Sequence, residues 1–364
     1  MPTISKTPHK VAIISHTLGS GGAERFAASL GFIISGLGYE VHNIIVNNVV
    51  DYEFSGILYN LEKEAKNQSW LQRKIQKGSL LKRYLDDNQI DTIVDNRSRN
   101  IFIREWLTKQ IYGPRKVIYM VHSFRLDMYF PKLIKAARFL YADAAKLVCV
   151  SKAIEDQVKL KFHFKNTVTV YNSVDFKDAI YDPAIEKYGD YLLYFGRFDT
   201  NVKNFGLLLD AFQRSEIYKT GFRLLFLGDG PDKDFIVKTA DKLGISSNIE
   251  VIAFQPNPFA YVKQAKFTVL TSHFEGFPMS LIESLALGTP VVSVDCESGP
   301  AEIIKNENNG LLVENYNTQA LADAFKRFAS DGNLYDICKT NAKNSVKHLA
   351  TSTIAKQWKQ ILSE

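Results

Sequence analysis

Short runs of β-branched and aromatic residues alternate with helical stretches along the whole chain. Parallel strands need long crossover connections, and helices then cover both faces of the sheet, so this alternation predicts parallel sheets of the α/β class. The runs are KVAIIS, VHNIIV, TIVDN, KVIYMVHS, KLVCVS and TVTVYN, followed by YLLYFG, RLLFLG, IEVIAF, FTVLTS and PVVSVD. Because 364 residues exceed one ordinary core, we predict two doubly wound domains.

Turn residues and charges without periodicity fill residues 175–190, which we interpret as the linker. We assign residues 1–178 to an N-terminal domain and residues 187–350 to a C-terminal domain. Residues 351–364 are predicted to form a C-terminal helix that can cross back to the first domain.

The cysteines and the N-terminus indicate a cytoplasmic protein. Cys149, Cys296 and Cys338 are odd in number and far apart, which favours buried thiols in a reducing compartment over disulfides. The first 22 residues contain an apolar run of only four residues, too short for a signal peptide or a membrane span.

Positive charge is concentrated in the first half of the chain. Residues 1–180 hold 26 lysine and arginine residues against 17 aspartate and glutamate residues, a net charge of +9 within a total of +6. A basic half of this kind favours an anionic partner, although an ordinary solvated surface is the alternative.

Ligands of doubly wound sheets bind beyond the carboxyl ends of the strands, so the residues that follow each strand are the candidates for a site. Gly19, Gly21 and Gly22 follow the first strand, where free N–H groups at the start of the next helix can face an anion. A dinucleotide fingerprint would need its third glycine where Glu24 stands, which argues against an NAD enzyme. A plain β-α connection is the alternative.

The stretch EGFPMSLIESLALGTPVV carries two carboxylates around a predicted helix. Pro278 suits the first helical turn and Gly288 the residue past its end, which predicts a helix over 278–287. Glu275 then lies in the loop and Glu283 on the helix. Carboxylates accept two hydrogen bonds and bind vicinal hydroxyls well, whereas isolated pairs at this spacing are often only surface charge.

Basic residues follow the first strand of the C-terminal set. Gly196 and Arg197 end YLLYFGR, and Lys203 precedes the next helix, an arrangement suited to two bridging phosphates. The turns in LFLGDGPDKDF and SGPAEII add two further strand ends, the second with Glu302 at a helix start.

These residues, taken together, resemble the retaining glycosyltransferases of family 4. The resemblance covers nearly the whole chain and rests on GGAER, VHSF, VSKAIEDQV, VYNSVD, GRFDTNVKN, GDGP and the two glutamates eight positions apart. It implies the GT-B fold, in which two Rossmann-like domains face a central cleft. Arg197 to Lys203 is one residue longer than in many relatives.

The resemblance also implies roles for individual residues. Arg197 and Lys203 would bind the nucleotide diphosphate, Glu283 the ribose hydroxyls, and Glu275 the donor sugar. The donor would also be contacted by the backbone of Phe277, Pro278, Met279 and Ser280, by Gly21 and Gly22, and by His122. For His122 the alternative is an ordinary histidine in a turn, with no functional role.

The chemistry that the resemblance implies is transfer with retention and without a metal. The acceptor would attack the face that the nucleoside diphosphate leaves, and the leaving phosphate would take its proton. Asp232 and Asp234 have the spacing of a metal-binding motif, but they follow GDGP and open a helix, where Asp is a good cap. We therefore expect no metal and no cofactor beyond the sugar nucleotide.

Within the family the C-terminal half most resembles bacterial N-acetylgalactosaminyltransferases that extend undecaprenyl-diphosphate-linked oligosaccharides, and transferases of polysaccharide assembly. The expected donor is UDP-GalNAc, ahead of UDP-GlcNAc, UDP-Gal and UDP-Glc. A transferase with a soluble acceptor, a phosphorylase or epimerase, and a non-catalytic sugar-nucleotide-binding protein stay as alternatives. No nucleic-acid partner is expected.

Residues 67–87 are predicted to form an amphipathic helix in the basic half. Arg73 and Lys77 share one face with Lys66, and Arg97 and Arg99 follow a strand in DNRSRN. We expect these residues to bind the diphosphate of a lipid-linked acceptor at the inner membrane face, which would make the protein peripheral there. A solvated face on an ordinary packing helix is the alternative.

Overall fold

The structure is a computed structural model, and it describes residues 9–19, 21–65, 69–176 and 179–364. The chain divides into two compact units. Unit 1 comprises residues 1–172 and 351–364, and unit 2 comprises residues 173–350.

Unit 1 is built on a parallel sheet whose seven described strands run in the order β3-β2-β1-β4-β5-β6-β7. Its strands are β1 Lys10–Ser15, β2 Glu40–Ile45, β3 Ile57–Asn60, β4 Thr92–Asp95, β5 Lys116–Val121, β6 Lys146–Cys149 and β7 Thr167–Thr169. The helices are α1 Gly22–Gly36, α2 Leu61–Glu64, α3 Trp70–Asp87, α4 Phe102–Tyr112, α5 Ile134–Tyr141 and α6 Lys152–Phe162, with a 3-10 turn at Leu126–Met128. All six predicted strands are present, and β3 was not predicted.

Unit 2 repeats this plan with a parallel sheet whose six strands run in the order β10-β9-β8-β11-β12-β13. Its strands are β8 Tyr191–Phe195, β9 Arg223–Gly228, β10 Ile249–Ala253, β11 Phe267–Leu270, β12 Val291–Asp295 and β13 Gly310–Glu314. The helices are α7 Thr200–Lys203, α8 Phe205–Ser215, α9 Lys233–Leu243, α10 Phe259–Gln264, α11 Met279–Ala286, α12 Pro300–Ile303, α13 Thr318–Ser330 and α14 Gly332–Ser345, with 3-10 turns at Pro183–Tyr188, Ile217–Thr220, Ser246–Asn248 and Lys347–Leu349. The two parallel doubly wound sheets confirm the predicted α/β class.

Alternate residues of β8 show how the sheet of unit 2 builds a core on each face. Leu192 and Tyr194 pack in the larger cluster, which includes Phe205 and Phe325 from α8 and α13. The intervening Leu193 packs in a second cluster on the other face. A strand buried on both sides needs an uninterrupted apolar run, which is why YLLYF is legible in the sequence.

The unit boundary lies earlier in the chain than predicted. It falls between Asn172 and Ser173, not near residue 178. Part of the predicted linker is folded, because residues 183–188 form a 3-10 turn whose Ile185 and Tyr188 are buried in the second core of unit 2. The apolar positions of this turn are too few to show periodicity.

The last helix, α15 Thr351–Ser363, groups with unit 1. Trp358 is fully buried and its ring lies 6.4 Å from that of Phe26 on α1. Lys116 Nζ donates to the carbonyls of Ile361 and Leu362 at 2.7 and 3.0 Å, which caps the carboxyl end of the helix. None of the helices described has the length and apolarity that crossing a membrane requires.

Candidate active site

The candidate site of unit 2 lies where its strand order reverses. Strands β8 and β11 are neighbours. Strands β9 and β10 follow on the side of β8, and strands β12 and β13 follow on the side of β11. Such a switch point is where doubly wound sheets bind ligands. The loops that leave these two strands, residues 196–204 and 271–278, carry most of the predicted site residues.

Two hydrogen bonds join these loops. Thr271 Oγ1 donates to the carbonyl of Lys203 at 2.9 Å, and the N–H of His273 donates to the carbonyl of Val202 at 2.8 Å. The backbone that carries Lys203 is therefore fixed against the loop that carries Glu275.

The side chains of Lys203 and Glu275 meet across the same loops. Lys203 Nζ lies 2.6 Å from Glu275 Oε1, and Ser272 Oγ donates to that same oxygen at 2.6 Å. Both charged side chains are mostly buried, with 21% and 12% exposed. This ion pair was not predicted, although both of its members were.

Arg197 is the more accessible basic group of the site. Its side chain is 65% exposed and lies 3.4 Å from Asp199. Tyr194 OH donates to the carbonyl of Arg197 at 2.8 Å. Burial, reinforced by the negative charge of Glu275, raises the pKa of Tyr194 well above its usual value, so this phenol remains a donor.

Glycines allow the loops at this edge to approach closely. Gly228 has a φ of +154°, and a Cβ placed on it would lie 1.9 Å from the carbonyl oxygen of Gly196. A side chain at residue 228 would therefore separate the ends of β8 and β9, beside Arg197.

Helix α11 places the second predicted carboxylate. It runs from Met279 to Ala286 with Pro278 at its N-cap, which agrees with the predicted 278–287 to within a residue at each end. Glu283 lies on its buried face with 4% exposed. The first-turn N–H groups of a helix have no intrahelical acceptor, and here they follow directly after the Glu275 loop.

A second loop holds the start of α11. The N–H of Glu275 donates to the carbonyl of Glu297 at 3.1 Å, and Ser298 Oγ donates to the carbonyl of Gly276 at 2.8 Å. Ser298 has a positive φ of 69°, a conformation that needs such support.

His122 lies in unit 1, directly after β5. Asn96 fixes its proton, because the Asn96 side-chain amide donates to the carbonyl of Ala23 at 2.8 Å and so presents Oδ1 to His122 Nε2 at 2.5 Å. Burial and the charge of Arg99 lower the pKa of His122 to about 3. His122 is therefore a neutral imidazole that donates through Nε2 and offers Nδ1 as an acceptor.

His16 is a polar group at the carboxyl ends of the strands of unit 1, and it was not predicted. It follows β1, and its Nε2 lies 3.1 Å from Ser98 Oγ after the neighbouring strand β4. Burial and the charge of Arg97 lower the pKa of His16 to about 4. Its position one residue after KVAIIS was the available signal.

The glycine turn of unit 1 carries its own anion. Helix α1 begins at Gly22 with Gly21 extended as its N-cap, and the carboxylate of Glu24 bonds to its own backbone N–H in the first turn. A Cβ on Gly21 would lie 2.3 Å from Glu24 Oε2. The predicted donor contact by Gly21 and Gly22 therefore requires this carboxylate to move aside.

Arg97 and Arg99 are buried in unit 1, which contradicts their predicted role as acceptor-binding cations. Arg97 Nη2 lies 2.7 Å from Asp95 Oδ2. Arg99 is fully buried and donates to the backbone carbonyls of Asp95, Arg97 and Met120 at 2.7 to 3.0 Å. Pairing with Arg97 and Arg99 lowers the pKa of Asp95 to about 2 despite complete burial. Both guanidinium groups are therefore engaged by acceptors within unit 1.

Arg73 and Lys77 lie on one face of α3, as predicted, and both pair with Glu62 of α2. Lys77 Nζ also donates to the carbonyl of Val46 at 2.7 Å. Lys66 lies outside the described residues. Two cations share one carboxylate, so the group keeps a net positive charge.

The first aspartate of the acidic pair after GDGP has a structural role. Asp232 Oδ2 accepts from the N–H of Thr200 at 2.6 Å and so caps α7, although the sequence predicted a cap on α9. In the described parts of the chain, no three histidine, cysteine, aspartate or glutamate side chains cluster as metal ligands would.

Comparisons with known proteins identify the family of the chain. The family model for glycosyl transferases group 1 matches residues 175–345. An N-acetylgalactosamine-N,N'-diacetylbacillosaminyl-diphospho-undecaprenol 4-alpha-N-acetylgalactosaminyltransferase of Campylobacter jejuni is 30% identical over 368 aligned residues, covering 95% of this chain and 97% of that protein.

A second Campylobacter jejuni relative, a GalNAc-alpha-(1->4)-GalNAc-alpha-(1->3)-diNAcBac-PP-undecaprenol alpha-1,4-N-acetyl-D-galactosaminyltransferase, is 25% identical and covers 98% of both chains. Among solved structures, Anabaena HepE in complex with UDP and glucose superposes with a TM-score of 0.81 at 16% identity, covering 98% of this chain and 99% of that one. The fold is therefore that of the GT-B glycosyltransferases, and the chain belongs to the glycosyl transferases group 1 family.

Proposed function

We propose that this glycosyltransferase moves a hexose or N-acetylhexosamine, with GalNAc first among the candidates, from a UDP-sugar to a lipid-diphosphate-linked glycan, with retention at the anomeric carbon. The observation that carries the proposal is the end-to-end identity of 30% with a GalNAc transferase whose named acceptor is a diphospho-undecaprenol glycan. A structural relative solved with UDP and a sugar supports the class of donor.

The geometry of unit 2 suits a diphosphate leaving group. Arg197 is exposed beside the switch point, and Lys203 is held there by the Thr271 hydrogen bond. Negative charge grows on the diphosphate as its bond to the sugar breaks, and fixed cations stabilise that charge without reorganising. Glu283, on the buried face of α11, is the candidate for the ribose hydroxyls.

Glu275 acts in this proposal as a sugar-binding and charge-stabilising carboxylate. Its Oε1 already accepts from Lys203 Nζ and Ser272 Oγ, which makes this oxygen a poor nucleophile. Oε2 is left to accept from sugar hydroxyls. The acceptor oxygen would bond to the anomeric carbon on the face that UDP leaves, and its proton would pass to the departing phosphate.

The acceptor is proposed to bind in unit 1. Arg73 and Lys77 remain candidates for its diphosphate, since their shared partner Glu62 neutralises only one of the two charges. A lipid-linked acceptor would hold the protein on the cytoplasmic face of the membrane as a peripheral protein. Metal independence belongs to the same proposal.

A donor and acceptor panel tests this function. The purified protein is mixed with UDP-GalNAc, UDP-GlcNAc, UDP-Gal or UDP-Glc, and with a glycan either free or linked to a polyprenyl diphosphate. We expect UDP release with one donor on the lipid-linked glycan, and an anomeric configuration in the product that matches the donor. Equal use of the free glycan would favour a soluble acceptor, and UDP binding without turnover would favour a non-catalytic binding protein.

A further inference from the structure

The outer face of α4 is apolar and its inner face is polar. Phe102, Ile103, Trp106 and Leu107 are 39 to 69% exposed, and their spacing places them on one side of the helix. Glu105 is buried on the opposite side with 3% exposed. A helix on the surface of a globular protein normally has the reverse pattern.

The inner face of α4 is stabilised by charge pairing. Glu105 lies 2.5 Å from Arg104 Nε and 3.5 Å from Arg97 Nη2, within the buried network that includes Asp95. The polar groups of this helix therefore hold it to unit 1, and its apolar side chains are left to face outward.

Helix α5 extends the apolar face and adds positive charge. Leu133, Ile134 and Phe139 are 44 to 74% exposed, and the ring of Phe139 lies 6.2 Å from that of Phe102. Three basic side chains, all exposed, lie among them: Lys132, Lys135 and Arg138. Residues 132–142 contain no aspartate or glutamate. We call this surface, formed by Phe102, Ile103, Trp106, Leu107 and residues 132–139, the α4–α5 face.

The composition of the α4–α5 face favours a membrane over a protein as its partner. Aromatic and aliphatic side chains with interspersed lysine and arginine are the chemistry of interfacial helices, which bury apolar groups among lipid headgroups and attract anionic lipids. A two-fold contact between two copies would pair the face with itself and oppose its lysine and arginine side chains, and the acid that follows α5, Asp143, is already paired with Lys109 at 2.6 Å.

We propose that the α4–α5 face docks unit 1 on an anionic phospholipid surface. The proposal deepens the proposed function. It rests on that function in one respect: the lipid-linked acceptor is the reason why the enzyme would need a membrane. It moves the docking surface from α3, where Arg73 and Lys77 are paired with Glu62, to the neighbouring helices.

Vesicle co-sedimentation of the full chain tests the proposal without donor or acceptor. Vesicles contain phosphatidylcholine alone or with phosphatidylglycerol. The double variant Lys135→Gln, Arg138→Gln should partition about 30-fold more weakly to the anionic vesicles, at about 1 kcal/mol per basic residue. The matched control, Lys233→Gln with Lys238→Gln, removes equal charge from exposed positions on α9 of unit 2 and should bind like the parent.

Apolar variants and fluorescence provide independent readouts. Ile103→Ser with Leu107→Ser should weaken binding to both kinds of vesicle at least tenfold, while UDP binding stays unchanged and shows that unit 2 is folded. Brominated lipids should quench the fluorescence of the parent, and Trp106→Phe should reduce that quenching.

Three outcomes would overturn the proposal. They are parent-like vesicle binding by both double variants of the α4–α5 face, no vesicle binding by the parent, or a parent dimer that these two variants dissociate. The last would make the face an interface between copies. Turnover on a detergent-solubilised acceptor is measured separately, so loss of the docking surface and failure of the proposed function give different results.

Discussion

Lys203 Nζ lies 2.6 Å from Glu275 Oε1, although the two residues are 72 positions apart in the chain. One was predicted at the diphosphate and the other at the sugar, so these two adjoining parts of the donor are expected to meet a single ion pair. Because both side chains are mostly buried, removing one leaves a buried charge without its partner.

Arg197 and Lys203 should respond differently to substitution. In Arg197→Met and in Lys203→Met, turnover should fall about 10 to 150-fold, because a charge-assisted hydrogen bond contributes roughly 1.5 to 3 kcal/mol. Only Lys203→Met should also lower the free energy of unfolding, by about 1 to 3 kcal/mol. UDP release and urea unfolding measure the two effects, and normal turnover in both variants would refute the assignment.

Activity should survive EDTA, because in the proposed function Arg197 and Lys203 would supply the positive charge that a metal supplies in other transferases. The assay compares UDP release before and after chelation, with an EDTA-sensitive transferase as a control. A sharp loss that Mn²⁺ or Mg²⁺ restores would show that the diphosphate site has been misassigned.

Arg97→Met should act on folding and not on acceptor affinity. Breaking a buried ion pair typically costs about 3 to 5 kcal/mol, since the remaining carboxylate stays buried. Arg73→Met, which removes a cation from the partly exposed face of α3, is the matched comparison and should cost under about 1 kcal/mol. Urea unfolding measures both, and an Arg97 variant of normal stability with a raised KM for acceptor would reverse our correction.

Unit 1 should lose stability as the pH falls below about 6.5. The pKa values of His16 and His122 are lowered to about 4 and about 3, so the unfolded chain binds two protons that the folded chain does not. Each such proton lowers the free energy of unfolding by about 1.4 kcal/mol per pH unit.

Urea titrations between pH 7 and pH 5 measure this slope. His122→Gln and His16→Gln should each reduce it by about one proton, and an unchanged slope in both variants would contradict the assigned protonation states.

Gly228→Ala should be strongly destabilising. Its φ of +154° is unfavourable for alanine, and the added Cβ would meet the carbonyl of Gly196, so we expect a loss of at least about 1 to 3 kcal/mol. Gly206→Ala in α8 is the matched control, since nothing lies within 4 Å of its Cβ position and alanine favours a helix by up to about 1 kcal/mol. Thermal unfolding compares them, and equal stability of both variants would contradict the close approach.

The strands that the sequence analysis missed are both at sheet edges. Strands β3 and β13 end their sheets and are partly exposed, so ILYN and GLLVE lack the continuous apolar run of a strand buried on both faces. The edge strands β7 and β10 are also partly exposed but were predicted, because the runs TVTVYN and IEVIAF are rich in β-branched residues.

The placement of Arg197 and Glu275 in loops that follow strands was predictable, because a motif marks each of these loops. The ion pair between Lys203 and Glu275 was not predictable. It forms because β8 and β11 are neighbours in the sheet, and the sequence does not show the order of the strands. Arg97 and Arg99 were predicted to bind the acceptor, but the structure buries both side chains. A warning was present in Asp95, a charge that ends the buried run TIVD and must have a partner there.

Because α15 packs in unit 1, the two units can be completed only in a fixed order during synthesis. Residues 173–350 lie between the two parts of unit 1, so unit 2 can emerge from the ribosome entire while unit 1 still lacks a helix. Until Trp358 arrives, Phe26 lacks its indole neighbour, and the ring of Phe26 lies 4.9 Å from that of His122. The nascent chain would therefore complete unit 2 first, and the surroundings of His122 would mature only after translation of α15.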